Sequence, residues 1–227
     1  MLKFDDLRIR TKALMPIAVA VAGLLALAIP GGLQLAEIAS ETAHIIEERD
    51  RGLIDLLNVS RYVNRATMIS FRSVLYEAGN SLKANGEAKL SDSFQAAGVH
   101  FGEAAGLLHE YSDDLDGYIG RFEGIRDDLK KAFDIGRAAP GVSVGRALTP
   151  RDLDTLAEAA RAMQSADLKA GSLNDDLSLM VNMISAENLK LAAELRARAA
   201  TAFTLLAGAG AFATALALGL SLWIVSR

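Results

Sequence analysis

The stretch from Leu153 to Val225 constrains the fold more than any other, because it has no proline and an apolar residue at every seventh position. These positions are Leu156, Met163, Ala170, Leu177, Ile184 and Leu191. Such a repeat is typical of a long helix that packs along other helices. Ionisable residues occur as far as Arg198 and are absent from 199–225. That uncharged segment predicts a transmembrane helix, since roughly 20 apolar residues cross the hydrocarbon core of a bilayer.

A second uncharged segment covers 13–36 and predicts a first transmembrane helix. The tail before it, 1–12, carries more basic than acidic residues, which places it in the cytoplasm by the positive-inside rule. The tripeptide Ala26-Leu27-Ala28 has the form of a signal-peptidase site, so cleavage is the alternative to an uncleaved anchor.

The other end of the chain predicts the same side of the membrane for the C-terminus. Trp223 and Arg227 combine an aromatic ring and a cation, which anchor a helix at the membrane interface. We therefore expect a multi-pass protein of the bacterial inner membrane. Its N-terminal tail and its stub, 226–227, lie in the cytoplasm, and 37–198 lie in the periplasm.

Between the two spans, apolar residues recur at three- and four-residue steps in four blocks. The first block runs from Glu37 to about Lys83, and Ser112 to Asp114 end the second block and cap the third. The longest loop is 138–149, and Thr149-Pro150-Arg151-Asp152 starts the fourth block as a helix cap. The sequence thus predicts an all-α chain: an antiparallel four-helix bundle that is continuous with two transmembrane helices.

Composition excludes several functions. The chain has no cysteine, which rules out disulfides and thiol chemistry, and its net charge of −4 does not favour a nucleic-acid partner. His100 and His109 lie about 180° apart on a helix, so they cannot bind one metal ion from one face. Neighbouring acidic pairs such as Asp127-Asp128 point in different directions and cannot act as an acid–base couple. We expect no enzymatic activity, no cofactor and no metal site.

Arginine side chains form one narrow stripe on the first block. Arg61, Arg65 and Arg72 fall at about 0°, 40° and 20° around a helix, and Tyr76 flanks them. No acidic residue lies between Asp55 and Glu77. The stripe is either a basic face paired with acids of another helix or a site for a small anion between subunits, since arginine forks match carboxylates.

Polar residues interrupt the apolar seam of the fourth block. Asp167, Asn174 and Asn188 occupy positions where apolar side chains are expected. In packed helices such residues most often fix the register or the oligomeric state, at some cost in stability.

Two spans around a helical domain of this size resemble the sensing half of bacterial methyl-accepting chemotaxis receptors. Arg8, Leu24 and the ending Trp223-Ile224-Val225-Ser226-Arg227 are similar in type to that family. The resemblance implies a homodimer that binds a ligand between its subunits, near the end far from the membrane. It also implies a HAMP linker and a signalling hairpin after Arg227, which would contact a cytoplasmic kinase and adaptor.

The resulting functional hypothesis is a receptor input module that senses an extracytoplasmic signal and relays it through the fourth helix and the second span. Two alternatives remain open at this point. The chain could be the input half of a sensor histidine kinase or cyclase, which share the same plan. It could also be a membrane-anchored structural coiled coil without a ligand.

Overall fold

The computed structural model describes residues 4–76, 85–139 and 147–225, and every regular element among them is helical. The elements are α1 (Phe4–Leu75), α2 (Gly86–Leu107), a 3-10 helix (His109–Tyr111), α3 (Ser112–Ala138) and α4 (Pro150–Val225). The all-α prediction is therefore confirmed. Most of the predicted loop and the anchor residue Arg227 lie outside the described residues.

The chain divides into two compact units. The terminal unit comprises 1–45 and 189–227, and the central unit comprises 46–188. The long helices α1 and α4 contribute to both units, whereas α2 and α3 belong to the central unit alone.

The central unit has one hydrophobic core, to which all four α-helices contribute. On α4 the seam residues Met163, Ala170, Leu177 and Ile184 are buried, as the seven-residue repeat predicts. Most core residues of α1 also lie three residues apart, with steps of four from Val59 to Val63 and five from Ile69 to Val74; they are Leu53, Leu56, Val59, Val63, Ala66, Ile69 and Val74. Apolar periodicity therefore identified the inward face of each helix.

Side-chain contacts define the direction of each helix relative to its neighbours. On α1, Ser60 and Asp50 bond to Asn174 and Asn188 of α4, so the partner number rises as the α1 number falls. These two helices are therefore antiparallel. Arg137 of α3 likewise pairs with Glu87 of α2 at 2.5 Å. The pairs Arg121–Asp176 and Lys169–Asp128 show the same antiparallel relation between α3 and α4.

The terminal unit contains the two uncharged segments. Both α1 and α4 contain stretches long and apolar enough to cross a membrane, with mean hydropathies of 1.6 and 1.8. Large apolar side chains of this unit point outward; they include Leu25, Ile29, Leu33, Phe203, Phe212 and Leu222. Small residues lie where the helices meet: Ala217 is buried, and a Cβ on Gly210 would lie 3.9 Å from Leu24 Cδ2. Small side chains allow helix backbones to approach closely.

The predicted start of α4 is confirmed as a capping box. The Asp152 N–H donates to Thr149 Oγ1 at 3.2 Å, and the Thr149 N–H donates to Asp152 Oδ2 at 2.9 Å. Pro150 occupies the first helical position, where its missing N–H costs nothing. These reciprocal bonds satisfy donors that the first turn of a helix leaves unpaired.

One predicted boundary is wrong. Ser112 is already helical and is not the N-cap of α3, which is Tyr111; α2 ends at Leu107, and buried Leu108 precedes the intervening 3-10 helix. The α1 helix ends at Leu75, and the predicted end near Lys83 lies outside the described residues. Val74 is its last residue in the core, and packing of an apolar face supplies most of the stability of a helix in a protein.

One glycine permits close contact between α1 and α3. A Cβ on Gly136 would lie 2.6 Å from Ser73 Oγ, 2.8 Å from Val74 Cγ2 and 3.1 Å from the Val74 backbone nitrogen. The buried Ser73 hydroxyl donates to the Ser70 carbonyl oxygen at 2.5 Å. Side-chain rotation could relieve the two shorter contacts but not the one to the backbone nitrogen, so a methyl group here would require the helices to move apart by a few tenths of an ångström.

Gly136→Ala should therefore force α1 and α3 apart and destabilise the protein by about 1–3 kcal/mol, the usual cost of overpacking. The matched control is Gly120→Ala in the same helix, where a Cβ would meet no atom within 4 Å. That variant should stabilise by about 0.5–1 kcal/mol, because alanine favours a helix over glycine. Unfolding of both variants in detergent, followed by circular dichroism, gives the comparison. Equal stabilities would contradict the close contact.

Candidate functional site

The predicted arginine stripe lies on the outer face of α1. Arg61, Arg65 and Arg72 are all exposed, whereas Val63 and Ala66 on the opposite face are fully buried. This placement follows from the helical repeat, because the arginines occupy one side and the core residues the other. Tyr76 is half-buried just beyond the end of the helix.

The arginines of this stripe form no ion pair among the described residues, which is also true of Arg151, Arg161, Arg196 and Arg198. Arg121 and Arg137 pair with acids of neighbouring helices at 2.6 and 2.5 Å. None of the acids in 4–76, 85–139 and 147–225 pairs with Arg61, Arg65 or Arg72. Within one chain, the alternative of a basic face neutralised by another helix is therefore not realised among the described residues.

An exposed apolar row accompanies the arginines, and sequence reasoning missed it. Its members are Ile54, Leu57, Met68, Phe71 and Leu75, with exposed fractions of 58, 53, 62, 52 and 38%. Arg61 and Asn64 fill the gap between Leu57 and Met68, so the row advances by three and four residues alternately. That is the spacing of a coiled-coil seam. The spacing of this row can be read from the sequence, but the apolar periodicity of the buried face of the same helix is more pronounced.

An open groove of about 720 Å³ lies beside this row, between α1 and α4. Met68, Phe71 and Leu75 form part of its wall. Asp167 lines the α4 side and is exposed. The seam position predicted for Asp167 is therefore wrong, because the buried face of α4 passes through the preceding residue, Ala166.

The two asparagines of the predicted polar seam both bond to α1. Asn174 is half-buried; it accepts from the Ser60 hydroxyl at 2.8 Å and donates to Asn64 Oδ1 at 2.7 Å. Asn188 is buried and donates to Asp50 Oδ1 at 2.9 Å. These bonds link particular residues of the two helices, so they favour one register of α4 along α1.

A polar cluster around Arg49 joins three elements of the central unit. The Arg49 side chain is only 15% exposed and forms a hydrogen-bonded ion pair with Glu110 of the 3-10 helix. It also lies 3.9 Å from Glu187 and 3.5 Å from Asn188 Oδ1, both on α4. The sequence alone does not reveal this cluster, because the partners of Arg49 lie more than 60 residues away in the chain.

Tyr111 completes this Arg49 cluster by donating a hydrogen bond to Glu187. Burial raises the pKa of Tyr111 to about 12, and the hydrogen bond to Glu187 and the charge of that carboxylate act in the same direction. The positive charge of Arg49 opposes them. The phenol therefore remains a hydrogen-bond donor at any physiological pH.

The raised pKa of Tyr111 predicts how stability changes in alkali. Below pH 10 the phenol is protonated in both the folded and the unfolded state, so its contribution to the free energy of unfolding is fully present. Between pH 10 and 12 the unfolded chain loses the proton first, and the free energy of unfolding falls as pH rises. This fall should be steeper for the wild type than for Tyr111→Phe in chemical denaturation series. Glu187→Gln should lower the pKa of Tyr111, as followed by tyrosinate absorbance. Parallel wild-type and Tyr111→Phe curves would contradict the burial of this phenol.

Comparison of the chain with protein-family models, with curated proteins and with solved structures finds no match. The functional assignment therefore depends on the chain's own residues. Among the described features, the exposed face of α1 is the one that combines unpaired charge with an apolar row suited to another helix.

Proposed function

We propose that this chain is the input module of a dimeric transmembrane receptor of the methyl-accepting chemotaxis type. In this proposal 37–198 form a periplasmic antiparallel four-helix bundle, and 13–36 and 199–225 are the membrane spans. The observation that carries it is the outer face of α1, where three unpaired arginines accompany a heptad-spaced apolar row. Exposed apolar rows of this kind mark sites of association.

A second copy of the chain is the proposed partner of this face. If two α1 rows pair, Met68 and Phe71 become buried against their counterparts, and Arg61 occupies a core position of the seam. Arg65 and Arg72 each follow a core position directly and flank the contact. The pairing therefore brings arginines of both subunits together.

Two like charges 6 Å apart cost about 3 kcal/mol at an effective dielectric constant near 20, before salt screening reduces the cost. A small anion with carboxylate or phosphate oxygens offsets this repulsion, because arginine donates paired hydrogen bonds to such groups. The anion thus favours the paired state, and ligand binding is coupled to the arrangement of the two subunits.

The proposed output is a movement of α4, which is one helix from Pro150 to Val225. The bonds of Asn174 and Asn188 to α1 favour one register, and a second register would have to break them. Polar contacts of this kind restrict a helix pair to a few distinct registers and prevent one helix from sliding freely along the other. The signal would leave through the second span to a cytoplasmic output domain.

The anion site predicts ligand-dependent stability. The full chain in detergent should melt higher and dimerise more tightly when one of succinate, citrate or inorganic phosphate is added. A ligand present at a hundred times its Kd adds about 2.7 kcal/mol. Arg65→Ala should abolish this response while leaving the helical content unchanged, since the side chain is exposed. Melting curves and sedimentation velocity with and without each anion provide the measurement.

The matched control for that experiment is Arg151→Ala, which removes one exposed arginine from the start of α4. Its response to the anions should equal that of the wild type, because the site lies on α1. A wild type that responds to none of the three anions would count against the proposal. So would loss of the response in both variants, which would indicate nonspecific screening of net charge.

The membrane topology can be tested independently of any ligand. Alkaline phosphatase fused after His100 should be active, because the enzyme matures only outside the cytoplasm, and a fusion after Arg227 should be inactive. The expectation follows from the basic flank of the first span. The opposite pattern, or a mature chain that begins near Ile29, would exclude a two-span receptor.

A further inference from the structure

Three potential metal ligands meet between α1 and α2, on residues to which the proposed receptor function assigns no role. His100 Nδ1 lies 2.8 Å from Asp55 Oδ1 and 3.3 Å from Glu103 Oε2. The three ligand atoms all lie within 4.8 Å of one another. Ligand atoms around one tetrahedral ion, with bonds of about 2.0–2.2 Å, lie roughly 3.3–3.6 Å apart, so small side-chain movements would bring the three groups onto one ion.

The helical repeat supplies two of the three groups. His100 and Glu103 are three residues apart on α2, so their side chains share one face of that helix. Asp55 comes from α1, which packs against α2 in the opposite direction. Only the His-x-x-Glu half of the cluster is visible in the sequence, because the position of Asp55 depends on the packing of the two helices.

The surroundings orient the histidine and leave one side of the cluster open. The Tyr62 ring stacks on the His100 ring, with centroids 5.6 Å apart and planes inclined by 16°. The side chains of Asp55 and His100 are 14 and 23% exposed, whereas that of Glu103 is 55% exposed. The cluster is therefore held from the inside and accessible from solvent on the Glu103 side.

Hydrogen bonding within the cluster does not satisfy both carboxylates. Nδ1 of an imidazole carries at most one hydrogen, yet Asp55 and Glu103 both place an oxygen within reach of it. A divalent cation among the three atoms would bond to all of them and offset the two negative charges.

We propose that Asp55, His100 and Glu103 bind one divalent first-row transition ion, with Zn²⁺ as the representative. One imidazole nitrogen and two carboxylate oxygens form a donor set that suits Zn²⁺, whereas Mg²⁺ prefers oxygen ligands and retains its water. Three protein ligands leave a coordination position for solvent. The bound ion ties α1 to α2, so metal concentration becomes a second input to the helix that carries the arginine stripe. The site does not depend on the anion hypothesis.

The test is the melting temperature of the full chain in detergent after treatment with EDTA, measured with added Zn²⁺ or Mg²⁺. One equivalent of Zn²⁺ should raise it, and Mg²⁺ at the same concentration should not. Co²⁺ should give a saturable visible absorption spectrum at one ion per chain. Both responses should be lost in His100→Gln and weakened at least tenfold in apparent affinity in Glu103→Gln.

The matched control is His109→Gln, which removes an exposed histidine of the 3-10 helix and should leave the response unchanged. Glu103→Gln also guards against misfolding, because its side chain is largely exposed and the variant should melt like the metal-free wild type. Absence of a saturable response in the wild type would overturn the proposal. Retention of the full response in His100→Gln and Glu103→Gln would overturn it equally.

Discussion

The burial of one face of α4 against the other helices is the interaction on which the central unit depends. That face is continuous over many turns and consists of Ala159, Met163, Ala166, Ala170, Leu173, Leu177, Met180 and Ile184. Each large aliphatic side chain that becomes fully buried contributes about 1.5–3 kcal/mol. Because the alanines are small, the helices can approach at these positions, while leucine and isoleucine fill the space between them.

The same burial determines where function can be located. The inner face of α1 is used for packing, so its arginines and its second apolar row must face outward. An exposed row of large apolar residues is unfavourable in water unless another surface covers it. The exposed apolar row and the arginines of α1 are unfavourable in an isolated chain. The same residues suit this face of α1 to a partner and a ligand.

Polar groups inside the central unit contribute more to the relative position of the helices than to stability. No buried side-chain nitrogen or oxygen among the described residues lacks a hydrogen-bond partner. Asn188 illustrates this, since its amide bonds to α1 instead of water. Arg49 and Tyr111 extend the same network to the 3-10 helix. Because unpaired buried polar groups are costly, such networks permit a few discrete arrangements of the helices and disfavour gradual sliding.

The sequence by itself determined the helices, their buried faces and the two uncharged segments, because these depend on residue spacing and local composition. The capping box at Thr149 was also visible, since both of its bonds join residues three apart. The end of α2 was not visible, because it lies where Leu108 packs against α1 at Gly52.

Only the tertiary structure decided which distant residues meet. It moved Asp167 from the seam to the rim of a groove, and it left the arginine stripe without an acidic partner among the described residues. It also brought Asp55 to His100 and Arg49 to Glu110. The physical reason is that side-chain period defines the face of a helix, whereas the rotation and offset of two packed helices arise from the fit of all their side chains together.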